Sequence, residues 1–218
     1  MSKRLFITFE GAEGCGKSTQ VSLLAERLRA LGHRVRTLRE PGGTPIGEEI
    51  RHTLKHSKNN AAMTAEAELL LMNASRAQIV REVIRPALDA GEIVVCDRFY
   101  DSTIAYQAYG RQLDLEKVQS VIDFAVGDTK PGLTLFIEVP PEVSAERLRS
   151  RQANLPFVRD RIEEADQAFF DRVAHGYSLI IAREPNRIKV VNGSRPMDIV
   201  CANIWDLVHP LLPRIGRW

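Results

Sequence analysis

The run Gly11-Ala12-Glu13-Gly14-Cys15-Gly16-Lys17-Ser18-Thr19 carries the strongest chemical signal in this chain. It fits G-x-x-x-x-G-K-[ST], a loop whose backbone N–H groups converge on phosphate oxygens at a helix N-terminus. In that reading Lys17 reaches the β- and γ-phosphates, and Ser18 or Thr19 holds Mg²⁺. The bland alternative is a glycine turn before an ordinary helix. The flanks argue against it. Leu5 to Phe9 is apolar and rich in β-formers, and Val21, Leu24, Leu28 and Leu31 recur at helical spacing. Strand, glycine loop and helix predict a nucleoside-triphosphate site.

A second cluster bears on what happens to the phosphate. Val94-Val95-Cys96 runs into Asp97-Arg98. An Asp at the end of an apolar strand beside a phosphate loop is placed to orient Mg²⁺. Many ATPases of this kind have Glu at the next position to activate water. Arg98 cannot act as a base, but it can grip a second phosphate. Arg39 to Thr44, Arg51 and Arg76 add cations on the same side of the predicted sheet. Each alone reads as a solvated surface residue. Together they fit a second phosphate ester, and phosphoryl transfer needs positioning and charge neutralisation above all. A regulatory GTPase is disfavoured: Asp128-Thr129-Lys130-Pro131 does not match N/T-K-x-D, and Tyr100 stands where D-x-x-G needs glycine.

These residues need a scaffold. β-like runs at Leu5–Phe9, Arg34–Leu38, Ile93–Cys96, Leu133–Val139 and Arg187–Val191 alternate with helical patterns. The helical stretches are Lys17–Leu31, Gly47–His56, Thr64–Ala90, Leu115–Ala125, Pro141–Arg151, Arg161–Arg183 and Arg195–Leu212. Such alternation predicts an α/β fold with a doubly wound parallel sheet. With 218 residues and no repeat or Gly/Ser linker, one domain spanning 1–218 is the simplest division. Lys55–Asn60 and Ser150–Arg161 read as mobile, the second as a lid over bound nucleotide.

Hydrophobic content of 44% and charged content of 27% fit a soluble globule. The net charge of +2 argues against non-specific nucleic-acid binding. Cys15, Cys96 and Cys201 have no metal-ligand spacing and read as free thiols in a reducing compartment. No secretory signal or membrane-length apolar run is evident, so the cytoplasm is the expected location. The scattered histidines read as structural or exposed, and Phe169, Phe170 and Tyr177 as core packing.

The run GAEGCGKST, REPGGTP at Arg39–Pro45, DRFYDSTIAYQ at Asp97–Gln107 and DRIE at Asp160–Glu163 together resemble thymidylate kinase, especially its bacterial type. The match runs in order over nearly the whole chain. The resemblance implies a P-loop nucleoside monophosphate kinase fold: a five-stranded parallel sheet flanked by helices, with a short lid over about 147–162. It implies transfer of the ATP γ-phosphate to dTMP to form dTDP, with Mg²⁺ held by Ser18 and Asp97, and a homodimer joined through helices. Nucleic acid and membrane are not expected partners. Carried over by position, Arg98 grips the dTMP phosphate with help from Arg51. Arg76 reaches the thymine carbonyl. Gln107 and Thr103 address the amide edge, and Tyr106 crowds the 2′ position. Glu40-Pro41 walls the acceptor site, with a cis bond before Pro41. Glu13 lies near the acceptor sugar and phosphate.

The sequence also departs from the family pattern. Gly14 stands where one branch has a loop arginine, so the lid must supply that charge. Arg147, Arg149, Arg151 and Arg159 are the candidates, with Arg149 and Arg151 favoured. Met72 replaces the phenylalanine that stacks on the base in many members, and a thioether stacks less rigidly. Ala108-Tyr109 replaces a glycine-rich run after Gln107, and Asn154-Leu155-Pro156-Phe157-Val158 makes the lid longer and more apolar. Two rivals follow: a kinase of another nucleoside monophosphate, and a nucleotide-binding switch that hydrolyses slowly. Acceptor-dependent turnover separates a kinase from a switch.

Overall fold

The apolar runs become the middle of a parallel sheet. The computed structural model describes residues 4–153 and 160–213, with the side chains of 151–153 outside the description. Strands β1 (Phe6–Glu10), β2 (Val35–Arg39), β3 (Ile93–Asp97), β4 (Leu133–Glu138) and β5 (Ile188–Asn192) pair in the order β2-β3-β1-β4-β5. β1 is buried at every position because it lies centrally with helices on both faces. Alternation divides its side chains. Phe6, Val94 and Cys96 enter the core on one face; Ile7, Phe9, Val95 and Leu135 enter the core on the other.

Helix α1 (Lys17–Ala30) packs Val21, Leu24 and Leu28 on the second face beside α9 (Met197–Val208). The first face is covered by α3 (Ala65–Ile79), α4 (Arg85–Asp89), α6 (Leu115–Val126) and α8 (Gln167–Arg183). Short α2 (Pro45–Arg51) and α5 (Tyr100–Thr103) follow β2 and β3, and α7 (Pro141–Ala153) follows β4. Register puts Phe9 opposite Asp97 and Asp97 opposite Arg39. The next residues, Glu10, Arg98 and Glu40, therefore leave neighbouring strands together at the carboxyl edge, where open α/β sheets bind ligands.

Several boundaries differ from the sequence reading. The stretch read as one helix from Thr64 to Ala90 widens into π-helical turns at Val80–Ile84 before α4. Pro86 has no N–H to donate, and the wider turn lies where its ring would crowd a regular helix. The helix expected from Arg161 begins instead at Gln167. Asp166 caps it, its carboxylate accepting from Phe169 N at 2.8 Å. α2 begins earlier than read, because Thr44 caps it and Pro45 suits a first helical position. The polar stretch after Lys55, read as mobile, is fastened: Asn60 Nδ2 donates to the carbonyls of Thr53 and Leu54, both at 3.0 Å. Among the described residues, no helix is long and apolar enough to cross a membrane. Of the lid expected over about 147–162, residues 154–159, Arg159 among them, lie outside the described residues.

Candidate functional site

The phosphate loop joins β1 to α1. Gly11 and Gly14 have φ of 140° and 73°, and a Cβ there would lie 2.5 Å from Ile137 O and 2.8 Å from Ser144 O. Only glycine lets the backbone turn this tightly. Cys15 is buried beneath the loop, while Ala12, Ser18 and Thr19 are exposed. Lys17 Nζ donates to the carbonyls of Gly11 at 3.1 Å and Ala12 at 2.7 Å. Ser18 Oγ donates to Asp97 Oδ2 at 2.5 Å. A hydroxyl and a carboxylate on adjacent elements form a hard-oxygen pair, the donor type that Mg²⁺ takes alongside phosphate oxygens and water.

Beside the loop opens a cleft with about 1240 Å³ of free space, lined by Gly16, Lys17, Arg39, Arg51, Arg147 and Asp160 among others. A smaller cleft continues from it past Met72, Arg76, Thr103, Tyr106 and Gln107. Glu13, Glu40, Lys55 and Arg98 line both, so the two clefts meet there.

Arg98 is the hub of that junction. Its φ of 69° turns the chain sharply at the end of β3, an uncommon conformation for a residue with a side chain. Its guanidinium donates to Glu13 Oε1 at 2.7 Å and to Ser102 Oγ at 3.0 Å. It also reaches the hydroxyls of Tyr177 at 3.3 Å and Tyr106 at 3.4 Å. Burial pulls the guanidinium down, but facing Tyr106, Glu13, Tyr177 and Glu10 reverse this and hold it above the usual arginine range. Burial also pushes the Glu13 carboxyl up, yet Arg98, Lys17 and Lys55 outweigh it and hold Glu13 well below the ordinary carboxylate range.

Glu10 fixes this turn from below. Its Oε1 accepts from the backbone N–H of Phe99 at 2.9 Å and of Ser102 at 3.2 Å. Its Oε2 accepts from Ser102 Oγ at 2.5 Å and Tyr177 OH at 2.8 Å. A carboxylate from β1 thus takes the N–H of Phe99, just before α5, and shares that of Ser102 with Phe99 O, a cap supplied from another strand. Burial raises the Glu10 carboxyl above its ordinary value, against the pull of Arg98.

The floor of the smaller cleft is a second buried network. Arg76 Nε donates to Glu40 Oε2 at 2.8 Å. Its Nη1 donates to Asn73 Oδ1 at 2.9 Å and Thr103 Oγ1 at 2.8 Å, and its Nη2 to Phe99 O at 3.3 Å. Glu40 Oε1 is buried without a partner among the described residues. Burial outweighs Arg76 and raises the Glu40 carboxyl from 4.5 to about 7. The Glu40–Pro41 bond is cis, and Pro41 O accepts from Arg51 Nη1 at 2.9 Å. Gln107 Nε2 donates to Glu68 Oε1 at 2.7 Å, and Arg111 and Arg161 pair with the same carboxylate.

The arginines of α7 separate by helical position. Ser144 Oγ donates to Glu13 O, which holds the helix against the loop. Arg147, one turn on, donates to Gly193 O at 3.1 Å and reaches Cys15 O at 3.4 Å. Arg149 is exposed and absent from the lining of either cleft, because its position points to another side of the helix. The sequence reading favoured Arg149 and Arg151; of the two arginines whose side chains are described, Arg147 and not Arg149 reaches the loop. The side chain of Arg151 lies outside the described residues.

Sequence reasoning overlooked the supports. Glu10 had a visible signal, a charged residue ending an apolar strand beside the phosphate loop. Tyr177 was legible only as core, since periodicity takes no account of a hydroxyl. Ser102 stood inside the DRFYDSTIAYQ motif with no role assigned to it, and Glu68 gave no sequence signal. Lys55, paired with Asp160 at 2.5 Å, brings together two segments far apart in sequence.

Comparison with known proteins agrees over nearly the whole chain. A family model described as thymidylate kinase matches residues 9–204. The chain is 48% identical over 201 residues to the thymidylate kinase of Syntrophotalea carbinolica, covering 92% of this chain and 93% of that one. It is 44% identical over 210 residues to that of Deinococcus radiodurans, covering 95% and 98%. The crystal structure of thymidylate kinase from Ehrlichia chaffeensis matches with a TM-score of 0.75 at 32% identity, covering 94% of this chain and 98% of that one.

Proposed function

The chain belongs to the thymidylate kinase family, and from that membership we propose how its residues divide the reaction. It is an ATP-dependent kinase that phosphorylates dTMP to dTDP. The larger cleft takes ATP, its phosphates cradled by the loop from Gly11 to Thr19, with Lys17 released from the loop carbonyls to the β- and γ-phosphates. The smaller cleft takes dTMP. Arg98, at the junction, holds the acceptor phosphate with Arg51 beside it. This arrangement is the observation that carries the reading: a half-buried guanidinium, pre-aimed by Glu13 at 2.7 Å, stands between a phosphate cradle and the cleft past Met72, Thr103 and Gln107.

Arg98 does its work by position and charge. It neutralises the acceptor phosphate and keeps the attacking oxygen in line with the donor. Glu13 faces both lysines and Arg98, so it balances their charge until phosphate enters. Arg147 is placed to answer charge on the transferring group, in the role the sequence reading gave to Arg149 and Arg151. Mg²⁺, held by Ser18 and Asp97, would neutralise phosphate charge when bound. Thymine lies against Met72, with Thr103 and Gln107 at its amide edge and Tyr106 against the 2′ position. Arg76 reaches a base carbonyl only by exchanging a partner, and its 3.3 Å bond to Phe99 O is the longest it holds. A single domain spans 1–218 in this proposal, and its lid region, about 147–162, includes residues 154–159, which lie outside the described residues.

A homodimer is part of this proposal. Phe124 on α6 is 84% exposed and Leu70 on neighbouring α3 is 58% exposed, an apolar surface that a second copy would cover. Free Cys15, Cys96 and Cys201 fit a cytoplasmic location.

The test is ADP formation from Mg-ATP with each common nucleoside monophosphate against a blank without acceptor. The expected result is turnover that depends on acceptor and is fastest with dTMP. Comparable rates with several monophosphates would move specificity away from this cleft. Release of ADP at the blank rate with every acceptor would refute the acceptor site.

A further inference from the structure

We infer that Glu68 is a positioning residue for base selection: it fixes which end of the Gln107 amide faces the base. The inference rests on the reading that Gln107 lies at the thymine edge. It goes further by saying why that amide selects a pyrimidine with an N3–H.

A carboxamide has a donor end and an acceptor end of nearly the same shape, so its orientation is decided by its surroundings. Gln107 is 2% exposed and lines the smaller cleft. Its Nε2 donates to Glu68 Oε1 at 2.7 Å. Glu68 is fully buried and pairs with the guanidiniums of Arg111 and Arg161. A carboxylate between two guanidiniums offers acceptors only. The reversed amide would set carbonyl oxygen against carboxylate oxygen, so the donor end is held on Glu68.

The acceptor end is then left for the ligand. Gln107 Oε1 has no hydrogen-bond partner among the described residues, and Glu40 Oε1 is the one buried side-chain oxygen or nitrogen among them that has none. Gln107 Oε1 therefore keeps access to the cleft. An acceptor there matches the N3–H donor of thymine or uracil and opposes the bare N3 of cytosine. The class selected is imide pyrimidines over aminopyrimidines. Arg76 nearby supplies a donor for a carbonyl on the same edge once it releases Phe99 O, which completes the pattern. Selectivity built this way comes from leaving a buried polar group unpaired by the wrong base.

The experiment compares kcat/KM for dTMP and dCMP in the full-length enzyme and in Glu68→Gln. The neutral amide introduced by that substitution turns its oxygen to Arg111 and Arg161 and its NH₂ to Gln107, which frees or reverses the Gln107 amide. The dTMP:dCMP ratio is expected to fall at least about tenfold, through a higher KM for dTMP and no loss with dCMP. The kcat at saturating dTMP stays near the parent value. Glu68→Asp, which keeps the acceptor-only group, is expected to retain the preference.

Glu68→Gln leaves two guanidiniums facing a neutral residue. The double variant Glu68→Gln/Arg161→Gln keeps the charge balance and reads the same ratio if the single variant does not fold. Gln107→Leu separates the role of Gln107 from that of Glu68. If Gln107→Leu collapses the ratio while Glu68→Gln leaves it intact, the role of Glu68 is overturned and the Gln107 reading stands. If Gln107→Leu leaves the ratio intact, both fall. A proportional loss with dTMP and dCMP in Glu68→Gln would reduce Glu68 to a structural part.

Discussion

The two halves of the site are built on different principles. The donor half is one short stretch of chain. Its glycines, its lysine and the start of α1 are covalent neighbours, and in the proposed reading backbone N–H groups do most of the binding. The acceptor half is assembled from the ends of β1, β2 and β3, the inner face of α3, the turns after α5 and one side of α8. Its parts are side chains, buried or half-buried, and held by other side chains. A backbone cradle tolerates change at its exposed positions. A buried ionic network does not, because removing one member strands its partner in a medium that solvates charge poorly.

The largest expected effects contrast the halves directly. Arg98→Ala should lower kcat/KM for dTMP on the order of 10³-fold while ATP affinity, measured by calorimetry, stays close to the parent. It should also lower the unfolding free energy by about 3 kcal/mol, since Glu10 and Glu13 lose their facing cation. Lys17→Ala should lower turnover as much, with dTMP binding preserved and stability little changed. Equal losses of ATP binding in both variants would erase the distinction between the halves.

A comparable effect on turnover is expected at the boundary. Arg147→Ala should lower kcat by roughly 10³-fold, the low end of what a phosphate-facing arginine contributes. Arg149→Ala should change it by less than about twofold, as an exposed arginine outside both clefts. Steady-state kinetics at saturating ATP and dTMP check both. The reverse order would restore the assignment first favoured from the sequence.

The smallest effect concerns pH. Glu40 titrates at about 7 in the folded protein and at 4.5 ordinarily, so between these values the folded state holds the extra proton. Stability contributed by Glu40 is therefore present at low pH and is lost as pH rises through about 7. From pH 5 to 7 the loss is about 2 kcal/mol. Urea unfolding of the parent and Glu40→Gln across this range tests it. An equal slope in both proteins would mean that Arg76 keeps Glu40 ionised throughout.

Most of the sheet and the whole phosphate loop were legible because their signals are local. An apolar run reads as a buried strand, and a glycine pattern reads as a turn that only glycine can make. Helix limits were less legible at Pro86 and Asp166, where a lost N–H and a side-chain cap decide the matter within a residue or two. In the acceptor half, sequence pattern and family resemblance named residues that line the clefts: Arg51, Met72, Arg76, Arg98, Thr103, Tyr106 and Gln107. They missed what aims them. Glu10, Ser102 and Tyr177 lie on three separate elements, and no spacing along the chain links them. Arg147 and Arg149 differ only in the angle around α7, which matters once Ser144 has docked that helix on the loop.

By itself the sequence determined the α/β alternation, the phosphate cradle, the strand-end Asp97 and Arg98, and the kinase family. Each depends on residues close together in the chain or on motifs kept in order along it. The tertiary structure alone decided that Glu10 caps α5 from another strand and that Lys55 meets Asp160. It alone brought Arg147 to the loop and turned the Gln107 amide toward Glu68. Those outcomes depend on burial and on distances of a few ångströms between residues remote in sequence. Charge and hydrogen bonding act across space, and only the packed sheet and helices set what lies within reach.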